Sequence, residues 1–151
     1  MKVLFVCTGN TCRSCMAEAI FNQTSDLYDV KAISAGISVI PGSKTSKNTV
    51  ALIKNNFSKD LSDRNSVQLQ EEMLSESDLI LTMTGYIRDA LMNRFPQYKN
   101  KLFTLNEYVD LKEDIIDPYG GNMEVYQKTF DILKKSIGLL LNKIKEDNGI
   151  R

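Results

Sequence analysis

Val3-Leu4-Phe5-Val6-Cys7-Thr8-Gly9-Asn10-Thr11-Cys12-Arg13-Ser14 starts as an apolar run, passes through a polar loop and leads into a stretch of helical character, Met16-Ala17-Glu18-Ala19-Ile20-Phe21. The order is buried strand, tight loop, helix. It brings loop N–H groups and the positive end of a helix dipole to one point, a ready site for an anion. The residue types suit such a cradle. Gly9 permits close approach or a positive φ. Asn10 tolerates the left-handed region and can hydrogen-bond within its own loop. Arg13 carries a planar fork able to grip two phosphate oxygens; a cation at a positive dipole end is unfavourable unless an anion joins the two. Cys7 ends the strand, so its sulfur is expected at the floor of the cradle, where the same field favours the thiolate. Ser14 can donate its hydroxyl to that sulfur, and it also suits a helix N-cap.

Outward from this loop the chain alternates between strand and helix patterns. Residues 14–26 read as a first helix and 30–34 as a second strand closed by Ala35-Gly36. A turn-rich loop over 39–43 follows, then a helix over 46–57 with Val50, Ile53 and Phe57 on one stripe. Leu61-Ser62-Asp63 leads into another short helix through Val67, Leu69 and Met73. Residues 79–83 read as a third strand, 86–95 as a helix closed by Pro96, 102–105 as a fourth strand and 106–116 as a loop that delivers Asp117. An amphipathic helix spans 123–144, and the polar tail 145–151 is expected to fray. Strands alternating with helices predict a parallel sheet with helices on both faces, joined by right-handed crossovers. The expectation is one α/β domain over 1–151, flavodoxin-like, four strands in the order 2-1-3-4, with ligands at the carboxyl ends of the strands.

Composition narrows the chemistry. Lys plus Arg and Asp plus Glu number 19 each, so no broad field draws nucleic acid or an anionic membrane, and neither is expected as a partner. No apolar run approaches bilayer length, and Met1-Lys2 with its short apolar run is too brief for a signal peptide; the expected location is the cytoplasm. There is no histidine. That excludes Ser-His-Asp triads, Cys-His dyads, phosphohistidine relays and histidine-based metal sites. The three cysteines, at 7, 12 and 15, are odd in number and clustered. They suit a reactive site in a reducing compartment better than a disulfide framework.

Cys-x5-Arg-Ser directly after the first strand resembles the phosphate-binding loop of the low-molecular-weight protein tyrosine phosphatases. Far downstream, Asp117-Pro118-Tyr119-Gly120 resembles the general-acid loop of that family. The similarity continues through Ser34-Ala35-Gly36, the stretch 78–84 and the stretch 102–108. It is closest to the bacterial protein arginine phosphatase branch, whose loop also reads Cys-Thr-Gly-Asn-Thr-Cys-Arg-Ser and whose acid loop has the Gly-Gly found here at Gly120-Gly121. The resemblance implies Cys7 as nucleophile, Arg13 as phosphate clamp and Asp117 as general acid. It makes Thr8, Gly9, Asn10, Thr11, Cys12, Arg13 and Ser14 the phosphate-binding loop and puts Tyr119 against the substrate side chain. Thr11 stands where tyrosine-directed relatives carry a bulkier aliphatic residue, and a smaller polar wall suits a flat phosphoguanidinium. Cys12 matches a second loop cysteine whose pairing with the nucleophile shields it in the family. Cys15 departs from the pattern, which has proline there, a residue favoured in the first helical turn. The implied substrates are phosphorylated proteins, phosphoarginine first and phosphotyrosine as the alternative, hydrolysed through a phosphocysteine to inorganic phosphate. No cofactor or metal is implied, since the cradle and Arg13 supply the positive charge.

Rival readings draw on fewer residues. Cys12-Arg13-Ser14-Cys15 is a C-x-x-C, the signature of a thiol-disulfide oxidoreductase, but that reading leaves Cys7, Gly9, Asn10 and Asp117 without a role. A thiol-linked arsenate reductase needs further cysteines downstream, and none follows Cys15. A phosphate-binding module without catalysis remains, and Cys7→Ser separates it from an enzyme.

Overall fold

The computed structural model describes residues 1–148. In chain order the elements are β1 (Lys2–Cys7), α1 (Arg13–Thr24), β2 (Lys31–Gly36), α2 (Lys47–Phe57), α3 (Glu71–Glu76), β3 (Leu79–Thr82), α4 (Gly85–Arg94), a 3-10 helix (Pro96–Lys101), β4 (Leu102–Thr104), α5 (Leu105–Tyr108) and α6 (Met123–Asp147). The four strands form one sheet in the order β2-β1-β3-β4, the flavodoxin-like order expected. All pairings are parallel: Val3 stands against Ala32 on one side and Leu79 on the other, and Ile80 against Leu102.

Strand periodicity splits the core into two layers. Val3, Phe5 and Cys7 join a cluster with Met16 and Ile20 of α1, Ile53 of α2 and Phe130, Leu133 and Ile137 of α6. Leu4 and Val6 point to the opposite face, against Leu74 of α3 and Ile87 and Leu91 of α4. β1 is therefore buried on both faces, which explains its unbroken apolar run. No helix among the described residues is long and apolar enough to cross a membrane.

Three local expectations are corrected. Residues 62–70 are not the start of a helix. Residues 62–63 form a turn, Gly36 N–H donates to the Val67 carbonyl at 2.8 Å and Leu69 N–H to the Gly36 carbonyl at 2.9 Å, so 67–69 run extended past the end of β2 and helix begins only at Glu71. The stretch from Asn106 is not all loop. Thr104 accepts from Glu107 N–H at 3.0 Å and Glu107 accepts from Thr104 N–H at 2.7 Å, a reciprocal cap that starts the short helix α5. Finally, Lys145–Asp147 continue α6, and the rest of the tail, 149–151, lies outside the described residues.

Candidate active site

The loop between β1 and α1 opens at the carboxyl end of the sheet. Residues 7–13 line a cleft of about 340 Å³, completed by Ser38, Ile40 and Ser43 on one side and Asp117 and Tyr119 on the other. Cys7 is buried at the end of β1. Its sulfur lies 2.8 Å from Ser14 Oγ and accepts from the Asn10 N–H at 3.2 Å. Ser14 is not the N-cap that its type suggests. Cys12 holds that position without a side-chain bond to the helix's N–H groups, and Ser14 sits inside α1 with its hydroxyl turned to the sulfur. The left-handed residue of the loop is Asn10, with φ of 56°; Gly9 is not among the positive-φ glycines, and a Cβ there would meet only Thr11 Oγ1, at 3.9 Å.

Asn10 is held from behind. Its Nδ2 donates to Ser14 Oγ at 2.7 Å and to Ser34 Oγ at 3.0 Å, and its Oδ1 accepts from Val67 N–H at 2.9 Å and from Arg64 Nη2 at 3.0 Å. Ser66 donates to the Asn10 carbonyl at 3.0 Å. Arg64 and Ser66 were not among the candidate residues. They reach the loop because a turn at 62–63 leads into an extended stretch that pairs with Lys44 and Gly36, a long-range placement.

Arg13 is buried, its side chain 7% exposed, and its guanidinium is shared. Nη1 donates to the Ile115 carbonyl at 3.0 Å, and Nη2 lies 3.6 Å from Asp117 Oδ2. Asp117 is half open to solvent, with 52% of its side chain exposed, rather than enclosed. Its Oδ1 accepts from the Tyr119 N–H at 3.0 Å, which fixes the carboxylate over the cleft. Tyr119 is 79% exposed and stands at the rim. Thr11 lines the cleft, and its carbonyl is tied to Ser46 N–H at 3.0 Å.

The remaining thiols sit at the start of α1, Cys12 as its N-cap and Cys15 within its first turn. Cys12 Sγ lies 3.3 Å from Tyr126 Oη and donates to Ser46 Oγ at 3.5 Å. Burial, helped by the contact with Cys12, pushes the Tyr126 phenol up to about 12, so it stays protonated at neutral pH. Cys15 donates to the Cys12 carbonyl at 3.3 Å, and burial pushes its thiol well above the ordinary range. A protonated, enclosed Cys15 is a poor partner for thiol exchange, which weakens the oxidoreductase reading. All three cysteines are free thiols. Among the described residues, no group of three or more Cys, Asp or Glu side chains is placed to hold a metal ion. The arrangement can present a sulfur nucleophile, a guanidinium fork and a carboxyl to one tetrahedral anion.

The sequence profile described as low molecular weight phosphotyrosine protein phosphatase matches residues 2–149. A protein-arginine-phosphatase of Bacillus subtilis is 36% identical over 151 residues, covering 97% of this chain and 99% of that protein. Among solved structures, a low molecular weight protein tyrosine phosphatase from T. tengcongensis matches with a TM-score of 0.90 at 43% identity, over 95% of this chain and 99% of that one. An arginine phosphatase solved as a cysteine-to-serine mutant with a phosphorylated active-site serine matches over 100% of both chains, with a TM-score of 0.90 and 35% identity.

Proposed function

The chain belongs to the low molecular weight phosphotyrosine protein phosphatase family, and from that premise we propose that it hydrolyses phosphoarginine on proteins through a phosphocysteine on Cys7. The observation that carries this reading is the meeting of Cys7, Arg13 and Asp117, from the end of β1, the start of α1 and a loop more than a hundred residues away, in one cleft.

The Cys7 thiolate attacks phosphorus in line. The loop from Thr8 to Ser14 and the Arg13 guanidinium hold the equatorial oxygens while charge redistributes, the main electrostatic contribution. Asp117 protonates the departing atom, nitrogen for phosphoarginine. It then takes the proton of the water that hydrolyses the phosphocysteine and releases inorganic phosphate. Ser14, 2.8 Å from the sulfur, stabilises the thiolate as it forms and as it leaves. Arg13 and Asp117 hold each other in place at 3.6 Å before substrate arrives, and a phosphate entering the cleft would take over the guanidinium fork. Thr11 on the cleft wall and Tyr119 at the rim select the substrate side chain. Phosphoarginine is favoured over phosphotyrosine because Thr11 leaves a small polar wall for a flat guanidinium. The cytoplasm is the proposed compartment, where three free thiols at one site stay reduced.

Cys7→Ser tests the enzyme against a binding module. Turnover should vanish while the folded variant still binds inorganic phosphate by titration calorimetry. Retained turnover would contradict the nucleophile assignment.

A further inference from the structure

Asn106 and Ser136 have no role in the chemistry above, yet both are buried polar residues, on two different elements. Ser136 is a fully buried hydroxyl on the face of α6 that carries Leu133, Ile137 and Leu140. It donates to Asn106 Oδ1 at 2.6 Å, and Asn106 Nδ2 donates to the Glu113 carbonyl at 2.6 Å. A carbonyl only accepts, so the amide nitrogen must face Glu113; the amide oxygen then faces α6 and takes the Ser136 proton. The pair thus links α6, through α5, to the loop that carries Asp117. The Asn106 backbone serves the same loop. Its carbonyl accepts from Val109 N–H at 3.1 Å and from Leu111 N–H at 2.8 Å, on either side of Asp110, whose φ of 63° is uncommon for a residue with a side chain.

We propose that Asn106, oriented by Ser136, is a positioning residue that sets where this loop enters the cleft and so where the Asp117 carboxyl stands. Residues 109–122 form neither helix nor strand, so the place of Asp117 depends on the bonds that tie the loop down. Nearer the cleft, Ile115 N–H donates to the Met83 carbonyl at 2.9 Å, the Ile115 carbonyl accepts from Arg13, and Asp114 Oδ1 accepts from Gly85 N–H at 3.0 Å. Thr129 Oγ1 lies 3.5 Å from the Ile116 carbonyl. The Arg13 tie is the one that a bound phosphate competes for, because it uses the same guanidinium. The Asn106 ties lie outside the cleft lining, where no phosphate competes for them. Asn106 never meets the substrate; it acts through Glu113, four residues before Asp117. The inference rests on Asp117 being the general acid.

The test separates proton donation from the rest of catalysis by leaving group. p-Nitrophenolate is stable enough to depart unprotonated, whereas phenolate needs a proton. kcat/KM is measured on p-nitrophenyl phosphate and phenyl phosphate for wild type, Asp117→Asn, Asn106→Leu and Ser136→Ala, the last two also combined with Asp117→Asn. Asn106→Leu, which cannot hold the Glu113 carbonyl, is expected to lose about tenfold on phenyl phosphate and less than about twofold on p-nitrophenyl phosphate, the cost of a misplaced acid. Ser136→Ala, which leaves the amide free to turn over, should shift the two rates in the same sense by less. With Asp117 already replaced, either change should cost little more, since residues that act as one unit are not additive. A merely structural defect would lower both substrates alike and add to the Asp117→Asn loss. Circular dichroism melts show whether each variant is folded; if Asn106→Leu does not fold, Ser136→Ala decides alone. Folded variants with equal losses on the two substrates, or with none, overturn the proposal. An Asp117→Asn variant that loses no more on phenyl phosphate than on p-nitrophenyl phosphate would instead overturn the general-acid reading beneath it.

Discussion

In the proposed reaction Asp117 and Thr11 divide the work of the cleft. The Asp117 carboxylate is half exposed and oriented by Arg13 and by the Tyr119 N–H rather than by enclosure. As the proposed general acid it matters most when the leaving group is poor. Asp117→Asn is expected to slow turnover by roughly 10²–10⁴-fold, with the largest loss on substrates whose leaving atom most needs a proton. Steady-state rates on a series of leaving groups check this, and a variant as fast as wild type on the poorest of them removes the acid role. Thr11, as proposed, acts on selection rather than rate. Thr11→Ile puts a branched aliphatic wall beside the phosphoryl group, and the ratio of kcat/KM for phosphotyrosine over phosphoarginine should rise; an unchanged ratio removes Thr11 as a selector.

The elements carry the site by where they end. β1 stops at Cys7 and α1 starts at Arg13, and this strand–loop–helix unit was legible in the sequence because an apolar run, a polar loop and helical spacing lie side by side. The parallel sheet followed from the alternation of patterns, and its order is the one expected of a flavodoxin-like domain. The extended passage over 65–69 was misread. Leu69 and Met73 are four apart, as in a helix, but Val67 and Leu69 are two apart, a strand spacing; what holds the passage extended is pairing with Gly36, a partner some thirty residues earlier. Arg64 went unnoticed for the same reason. α5 is different: Thr104 followed three residues later by Glu107 is a capping signature that could have been read.

Gly36 shows how tightly β2 and the loop fit. A Cβ there would stand 2.5 Å from the Thr8 carbonyl oxygen and 3.0 Å from the Asn10 nitrogen, both backbone atoms that cannot swing aside. Gly36→Ala is expected to cost about 1–3 kcal/mol in chemical denaturation and to lower kcat/KM by displacing the loop. Wild-type stability and activity would show that the loop is more yielding than this packing implies.

At the scale of the molecule, the parallel sheet gathers every carboxyl end at one edge, and the cleft lies there. Stability is tied to this edge through Glu107, which caps α5 just after β4. Burial opposes its charge, but the Thr104 N–H and Arg88 outweigh it and hold the carboxyl below its ordinary value. A lowered folded pKa stabilises the fold above the unfolded value of about 4.3, and that contribution fades as pH falls through the folded value. Glu107→Gln should therefore be less stable than wild type at neutral pH and approach it in acid, as read from melting temperature against pH. A constant difference across pH would show that the charge of Glu107 contributes nothing. The central claim is that this site removes phosphate from arginine on proteins. The most direct test is kcat/KM on matched phosphoarginine and phosphotyrosine peptides, with Cys7→Ser as the blank. A clear preference for phosphoarginine that disappears with Cys7 is the expected result; a preference for phosphotyrosine, or no turnover of either peptide, would contradict it.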